Sequence, residues 1–444
     1  MRELRTAEPP PRLPGVWFVL LMGVRLAMVA AQPLLADRVP DWAWANNDGY
    51  DTIAIHWVET GTFALDRDVP TAIRLPLYPA LIAAAYRIGG AAYPWLVMGT
   101  QAALSIWTGW LLFRMAAGLF GRRSGLIALA LFIFHPQVNH FIFRCATETL
   151  FLFLVVGLAH EAVLFLRTRA PRHLIGAAAA MGLSLLTRQT LLPLGWLALV
   201  ALLGWSFGGL RGIGRRLGWT AVAASVVGLL LAPWLARNWA QSGGHWILQT
   251  WIGQPMCQGA YVTRHLDEFF AGRKTLTELD QAGLFEIRFL ERQMSRRLPV
   301  EVQGIAREVA ADQYFRDRAR QLAARAPLDR TRRTVANLLW APVLQMTWKS
   351  TRILMLWNWP LLIFGLVGMV ACARRNPRLL LESLPIWIAF GYLLVVHAAA
   401  WPQARYVLPG LVPFMAFSAL GLEAGVSALG ARVSGKPPRH RSAT

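Results

Sequence analysis

The chain is poor in charged residues and nearly free of cysteine. Only 16% of its 444 residues are Asp, Glu, Lys or Arg, whereas a soluble protein of this size carries about 25%. Its three cysteines, Cys145, Cys257 and Cys372, form no closely spaced pair, which excludes a disulfide framework and a cysteine-based metal site. The sequence also lacks a Gly-x-x-x-x-Gly-Lys-Ser/Thr segment, so nucleotide binding of the P-loop type is excluded.

Apolar residues dominate instead. They make up 55% of the chain, and several windows approach or exceed the roughly 18–20 apolar residues that cross a bilayer. The formal net charge is +21, but basic residues cluster in short segments between apolar windows, which is typical of cytoplasmic loops. We therefore predict an all-α polytopic membrane protein that contacts membrane lipids and no nucleic acid. It would have about ten transmembrane helices and two large extracytoplasmic loops.

The predicted spans and divisions follow the apolar windows. The shorter apolar stretch 76–88 is predicted to be a helix on the membrane surface. The predicted spans are approximately 15–36, 94–118, 123–140, 148–167, 173–187, 190–207, 216–235, 352–373, 379–398 and 405–429. The predicted divisions are a first module at 1–238 with an outer loop at 37–93, a variable outer loop with surface helices at 239–351, C-terminal spans at 352–430 and a basic tail at 431–444.

Basic residues mark one side of the membrane. Arginines occur in alternate connections, from Arg122–Arg123 to Arg374–Arg375, and both chain ends are basic. An even number of spans puts both ends on one side, which the positive-inside rule makes cytoplasmic. The first segment resembles a cleaved signal peptide, but an uncleaved span preserves the charge pattern. We therefore expect a multi-pass protein of a bacterial inner membrane, with both large loops and the functional site outside the cytoplasm.

Each short outer connection keeps one arginine near a predicted membrane boundary: Arg144, with Glu148 nearby, then Arg188, Arg237 and Arg405. A single arginine would be explained by a side chain that reaches lipid headgroups. Four arginines on the face that carries an acidic first loop favour a shared polar cavity, because ionisable groups at membrane depth usually face a partner. Arginine suits phosphate because its planar fork donates parallel hydrogen bonds, and a carboxylate opposite it can act as a general base.

Several segments, in order, resemble motifs of the bacterial family 39-like glycosyltransferases. That family belongs to the C-type superfamily of integral membrane glycosyltransferases, with protein O-mannosyltransferases and the lipid A aminoarabinose transferase as relatives. In the segment 186–189, Gln189 and Thr190 stand where the family usually has Pro and Glu. The matching segments are 48–54, 61–63 and 74–79 in the first outer loop, then 147–151 (TETLF), 186–189 (LTRQ), 233–238 (PWLARN) and 397–409.

The resemblance implies an activity and a general base. Enzymes of this family take a sugar from a polyprenyl-phosphate carrier on the outer face, generally with inversion at the anomeric carbon. They transfer it to an acceptor, so the resemblance implies a hexosyl- or pentosyltransferase acting on a glycan, a glycolipid or a protein. The family's first-loop aspartate corresponds to Asp48, and Asp51 is its rival. Without the resemblance, Asp48 before Gly49 would be an ordinary turn or helix-cap residue.

Substrate-binding roles are expected for residues of four outer segments. Arg405 and Tyr406 are the preferred contacts of the carrier phosphate. Arg74 could equally flank the surface helix, and Tyr78 fits an interfacial aromatic at least as well. Glu148 is expected to pair with Arg144 or Arg188, with metal binding as the alternative. The full expected set is Arg74, Tyr78, Glu148, Arg188, Arg237, Arg405 and Tyr406.

A divalent metal is left open as a cofactor. Four histidines near the predicted outer face could contribute ligands together with a carboxylate, but their spacing matches no known ligand pattern: His56, His135, His140 and His397. Two other functions compete with a transferase. A transporter or flippase for lipid-linked sugars would show an inverted repeat, and no convincing repeat is found. A polymerase or ligase of lipid-linked glycans would also use outer-face arginines, but fits the first-loop carboxylates less well.

Overall fold

The structure is a computed structural model that describes residues 15–35, 48–193, 213–295, 303–325 and 327–434. Within these ranges the chain forms eighteen α-helices, and its β pairing is limited to an isolated bridge between Ala64 and Pro70. The helices are α1 (Gly15–Leu35), α2 (Tyr50–Thr60), α3 (Leu77–Gly89), α4 (Tyr93–Phe120), α5 (Arg122–Phe134), α6 (Pro136–Ile142), α7 (Glu148–Thr168), α8 (Pro171–Leu185), α9 (Ile213–Gln241), α10 (Gly253–Arg264), α11 (Leu266–Phe270), α12 (Leu276–Ser295), α13 (Gly304–Ala324), α14 (Pro327–Trp340), α15 (Trp348–Arg375), α16 (Pro377–Glu382), α17 (Leu384–Ala400) and α18 (Ala404–Ser434).

Many of these helices are apolar and long. In the described part of the chain, five helical stretches can cross a membrane, or six if α5 and α6, bent by 57°, form one span. Two shorter apolar stretches, Gly15–Met28 and Leu384–Ala400, add to them. The prediction of an all-α multi-pass membrane protein is confirmed. A total of ten spans stays a prediction, because the span predicted at 190–207 lies largely in residues 194–212, outside the described ranges.

Burial separates central helices from lipid-facing ones. The apolar window of α7 is 72% buried inside the protein and that of α18 is 83% buried, whereas α9 and α15 bury only 17% and 28%. Leu229 on α9 and Leu356 on α15 are 75% and 79% exposed. Exposed apolar side chains of this size and number mark a surface that contacts lipid. The centre of the molecule is therefore built on α7 and α18.

The described residues of the predicted first outer loop, 48–93, are largely helical. The stretch 76–88, predicted as a surface helix, forms α3, which continues through a short 3₁₀ turn into the long helix α4. Tyr78 and Ile82 on α3 are fully buried, and α3 packs against α2. In the variable loop, α10 packs against both α12 and α13. The two outer loops therefore build a helical layer at one end of the described spans.

Glycines bring α15 and α18 into direct backbone contact. A Cβ at Gly421 would fall well inside van der Waals distance of the Phe364 carbonyl oxygen, and a Cβ at Gly368 would meet that of Phe417. Small residues are typical of closely packed membrane helices, since they let two backbones approach. This contact fixes α18, which carries Arg405 at its beginning.

Gly421→Ala is expected to lower the free energy of unfolding by about 1–3 kcal/mol, because the added methyl overlaps a main-chain carbonyl that cannot easily move. Gly425→Ala is the matched control: it lies one turn later on α18, and its methyl would enter open space. Thermal unfolding of the two variants in detergent measures the difference. Equal melting temperatures for both would contradict the close packing of α15 on α18.

Candidate active site

Asp48 lies in a sharp turn that begins α2. Its φ is 58° and that of Gly49 is 76°, so two consecutive residues adopt the left-handed conformation. Aspartate enters this region more readily than most residues, whereas a Cβ at Gly49 would collide with the Leu65 side chain. The Asp48 side chain is 62% exposed. Its carboxylate is therefore held in a strained turn yet open to a substrate.

Arg74 fixes this turn. Its Nε donates to the main-chain carbonyl of Asp48 at 2.9 Å, and its Nη2 lies 3.6 Å from the Asp48 Oδ1 atom. The guanidinium also lies 5.3 Å from the ring of Tyr50 and 5.2 Å from the ring of Trp251. Trp251 comes from the variable loop, so both outer loops hold the aspartate. A contact between Arg74 and a carrier phosphate stays a prediction.

Asp51, the rival base, interacts with its own helix. Its Oδ1 accepts hydrogen bonds from the Thr52 main-chain nitrogen at 2.6 Å and from the Thr52 hydroxyl at 3.3 Å. Burial raises the pKa of the Cys145 thiol, and the charges of Asp51 and Asp48 raise it further. The two candidate bases therefore differ in their contacts, since Asp51 is bonded to Thr52 and Asp48 lies against Arg74.

A buried ion pair joins α7 to the segment that follows α8. Arg188 Nη2 lies 2.7 Å from Glu148 Oε1, and Arg188 Nε donates to the Thr147 hydroxyl at 2.7 Å. Burial by itself lowers the pKa of Arg188, but the Glu148 carboxylate outweighs it and the net pKa is raised. Removing one partner of such a pair costs about 3–5 kcal/mol, since the other charge is left buried and unpaired. Of the partners expected for Glu148, the structure provides Arg188.

Arg405 stands in the first turn of α18, and no carboxylate of the described residues reaches it within 4.0 Å. Its Nη2 donates to the Tyr406 hydroxyl, while its Nε is buried without a hydrogen-bond partner. The Tyr406 ring lies 4.5 Å from the Arg405 guanidinium and 5.5 Å from that of Arg188, and it stacks on His397. A buried cation with an unsatisfied donor is costly, so this geometry favours binding of an anion.

Asp280 on α12 brings a further carboxylate to this place from the variable loop. Its Oδ1 accepts a hydrogen bond of 2.7 Å from the Gln258 amide. Burial raises the pKa of Asp280, the Arg405 guanidinium counteracts part of that rise, and the Asp48 carboxylate adds to it. Both Asp48 and Glu148 also act electrostatically on Arg405. We call Asp48, Glu148, Arg188, Asp280 and Arg405 the polar cluster.

Arg237 holds the main chain of the first outer loop. Its Nη1 donates to the Thr71 carbonyl at 2.7 Å and its Nη2 to the Phe63 carbonyl at 3.1 Å. Glu308 of α13 secures the same loop, since it accepts hydrogen bonds from the Thr71 hydroxyl and from the Ala72 main-chain nitrogen, the latter at 2.8 Å. These contacts tie the first outer loop to α9 and to the variable loop. Binding of carrier phosphate by Arg237 stays a prediction.

Tyr78 packs against Tyr50, the residue that follows the Asp48 turn. It is fully buried, its hydroxyl donates to Gln101 Oε1 at 3.1 Å, and its ring packs edge-on against Tyr50 at 5.3 Å. Tyr50 in turn carries the Arg74 guanidinium on its face. The contacts of Tyr78 are thus with the protein, and its expected contact with substrate stays a prediction.

The four candidate histidines do not converge. Across the described residues, no three His, Cys, Asp or Glu side chains are arranged to hold a metal ion. His135 interacts with Asn358 at 2.8 Å and His397 stacks on Tyr406, for example. A divalent cation needs several converging oxygen or nitrogen ligands, so the donor groups seen in these residues do not fit one.

Sequence patterns do not identify three residues of the variable loop as part of the site: Trp251, Asp280 and Glu308. The resemblance does not extend to that loop, and no motif surrounds any of them. Helical spacing predicts surface helices there, but it does not show which acidic residue turns toward the first outer loop. Only the packing of α10, α12 and α13 makes these residues part of the site.

Comparison with known sequences identifies a family over part of the chain. Residues 68–236 match the profile of the family described as dolichyl-phosphate-mannose-protein mannosyltransferase. The matched segment contains Arg74, Tyr78, Glu148 and Arg188, while Asp48 and the beginning of α18 lie outside it. A search among curated proteins finds no match.

Solved structures show the same fold at low sequence identity. The apo oligosaccharyltransferase of Archaeoglobus fulgidus is 12% identical, with a TM-score of 0.54 over 94% of this chain and 52% of that chain. The same enzyme tethered with an acceptor peptide is 14% identical, with a TM-score of 0.53 over 95% of this chain and 51% of that chain. This chain therefore spans about half the length of the oligosaccharyltransferase.

A further match is ArnT from Cupriavidus metallidurans bound to undecaprenyl phosphate. It is 13% identical, covers 96% of this chain and 82% of that chain, and has a TM-score of 0.41. The family match over residues 68–236 and the fold shared with the oligosaccharyltransferase agree with the motifs of the outer loops. Together they confirm the predicted resemblance to the C-type integral membrane glycosyltransferases, with the family match limited to residues 68–236 and the solved structures adding a shared fold.

Proposed function

We propose that the protein transfers a hexose or pentose from a polyprenyl-phosphate carrier to an acceptor hydroxyl or amine, with inversion at the anomeric carbon. The observation that carries this proposal is the presence, in one polar cluster, of the exposed Asp48 carboxylate and of Arg405, whose buried Nε has no hydrogen-bond partner among the described residues. The first can accept a proton and the second can hold a phosphate, the two tasks that this transfer requires.

Arg405 is the proposed phosphate ligand because other arginines nearby are occupied. Arg188 is neutralised by Glu148, and Arg74 and Arg237 donate to main-chain carbonyls. A phosphate oxygen would accept the hydrogen bond that Arg405 Nε lacks within the protein. Arg405 lies in the first turn of a long helix, where the positive end of the helix dipole favours an anion. The Tyr406 hydroxyl is a second donor beside it.

Asp48 is the proposed general base. It takes the proton of the acceptor hydroxyl or amine while the acceptor atom attacks the anomeric carbon. The bond between that carbon and the phosphate oxygen breaks, its electron pair leaves with the polyprenyl phosphate, and Arg405 stabilises the added charge. Attack from the side opposite the phosphate inverts the anomeric carbon. Asp51 suits this role less well, because one of its oxygens is engaged by Thr52.

The proposed site faces the outside of a bacterial inner membrane, with both chain ends in the cytoplasm. Helix directions support this arrangement. α7 runs from Glu148 in the polar cluster to Arg167, and α8 runs from Arg172 back toward Arg188. The basic connection and the polar cluster therefore lie at opposite ends of this helix pair, as the positive-inside rule requires of an outer-face site.

The names of the matches support the donor and suggest an acceptor. The family description names dolichyl-phosphate-mannose, a polyprenyl-phosphate sugar, together with a protein. The oligosaccharyltransferase of Archaeoglobus fulgidus was solved tethered with an acceptor peptide. A protein is thus a candidate acceptor beside a glycan or a glycolipid.

Asp48→Asn is expected to reduce sugar transfer by about 100-fold or more, because the general base is lost while the shape of the side chain is kept. Asp51→Asn is expected to lose less than about tenfold, since its carboxylate is engaged by its own helix. The assay follows release of undecaprenyl phosphate from undecaprenyl-phosphate-linked mannose, glucose, galactose and arabinose by the purified protein in detergent.

Asp66→Asn is the control for this experiment, because Asp66 is exposed in the same outer loop. It should turn over at the wild-type rate. Normal turnover by Asp48→Asn, with loss of turnover in Asp51→Asn, would transfer the role of base to Asp51. Normal turnover by both variants would refute a base in this segment.

Arg405→Gln is expected to weaken binding of undecaprenyl phosphate by at least about tenfold, because a charge-assisted hydrogen bond to the phosphate is lost. Thermal shift or calorimetry on the detergent-solubilised protein measures the dissociation constant. Undecaprenol, which has the same chain and no phosphate, should bind the wild type and the variant equally.

Arg330→Gln is the matched variant, since Arg330 is exposed on α14. It should bind undecaprenyl phosphate as tightly as the wild type. If Arg405→Gln also bound this lipid with wild-type affinity, Arg405 would not be its phosphate ligand, and the proposed donor site would have to be abandoned.

A further inference from the structure

Asp280 is an acidic residue that the proposed transfer chemistry does not use. It lies on α12 in the variable loop, half-buried, and one of its two carboxylate oxygens accepts a hydrogen bond from Gln258. The other oxygen makes no hydrogen bond within the described residues. This second oxygen is therefore able to accept a hydrogen bond from a ligand while Gln258 holds the first.

Close helix packing places Asp280 over the beginning of α18. On α10, Gly259 lies so close to the Ala400 carbonyl that a Cβ would overlap it, and α10 therefore rests directly on the turn that leads to α18. Gln258, the preceding residue on α10, is 7% exposed and holds the Asp280 carboxylate at 2.7 Å. Gly283, one turn after Asp280, packs its backbone against the Gln258 side chain. The position of Asp280 is thus fixed by two helices.

The packing of α10 connects Asp280 to the phosphate end of the proposed reaction, because its carboxylate is held next to the residues that lead to Arg405, the proposed phosphate ligand. In an in-line displacement the anomeric carbon lies between the phosphate and the acceptor atom, so the sugar is joined to the phosphate that Arg405 would bind. A residue beside the segment that leads to Arg405 therefore lies near the sugar. Carboxylates bind sugar hydroxyls well because each oxygen accepts strong, charge-assisted hydrogen bonds.

We propose that Asp280 is a specificity-determining residue that accepts hydrogen bonds from hydroxyl groups of the donor sugar, while Gln258 positions it. This inference rests on the proposed function, and it assigns sugar recognition to the variable loop. The residues that hold the phosphate and remove the proton come from the membrane module. The loop from which Asp280 comes, 239–351, would then select which polyprenyl-phosphate sugar the common machinery accepts.

The test compares two kinds of lipid. Dissociation constants are measured for bare undecaprenyl phosphate and for undecaprenyl phosphates that carry mannose, glucose or galactose, sugars that differ at single hydroxyls. The wild type should bind one sugar-bearing lipid more tightly than the bare lipid. Asp280→Ala should weaken that binding by about 10- to 100-fold, the loss expected for hydrogen bonds to a charged group, and leave the bare lipid unaffected. It should also flatten the differences among the three sugars.

Two further variants distinguish a role in sugar binding from a purely structural effect. Asp280→Asn keeps an oxygen for Gln258 but loses the charge, so it should weaken binding of the sugar-bearing lipid at an unchanged melting temperature. Asp317→Ala, at an exposed aspartate on α13, should behave like the wild type. If both Asp280 variants kept the wild-type sugar preference, the inference would be overturned and the donor site would stand. If the wild type did not bind bare undecaprenyl phosphate, the proposed function itself would fail, and the inference with it.

Discussion

A guanidinium buried near the end of a membrane helix needs an oxygen partner, and this requirement organises the outer half of the molecule. Arg188 takes the Glu148 carboxylate, and Arg237 takes main-chain carbonyls of the first outer loop. Arg74 binds the backbone of Asp48 and thereby fixes the strained turn that exposes the candidate base. Arg405 receives only a tyrosine hydroxyl from the described residues, and one of its buried donors is left for a ligand. This unsatisfied donor distinguishes Arg405 from the other three arginines.

The rest of the fold holds these charged groups in fixed positions. Helices α7 and α18 begin at or next to residues of the polar cluster. Among the described spans they are the most deeply buried, and glycine contacts hold α18 against α15. The outer loops interlock above them, since Trp251 covers Arg74 and Glu308 binds Thr71 and Ala72. Each group of the polar cluster therefore comes from a packed segment. Such preorganisation lets fixed charges stabilise a developing charge without first reorganising solvent.

The roles proposed for the two loops follow from the same contacts. The phosphate-binding and base candidates belong to segments that the motifs identify, whereas Asp280 comes from the loop that no motif covers. A chemical step common to many sugars needs the same few charges, but recognition of one sugar needs hydrogen bonds placed around its ring. A variable loop packed against the common site can change sugar recognition without disturbing the charges that the chemical step needs.

The sequence by itself determined the membrane architecture, the helical class and the family resemblance, because apolar windows, basic loops and short motifs are local patterns. It also identified Asp48, Glu148, Arg188 and Arg405 as residues of interest. It could not decide which carboxylate meets which arginine, since Glu148 and Arg188 or Asp48 and Arg74 are brought together only in the folded structure. Nor could it identify Asp280, because that residue is placed beside the beginning of α18 only by the packing of α10 on Ala400, which Gly259 permits. Contacts between distant segments depend on the whole arrangement of helices, and no local pattern encodes them.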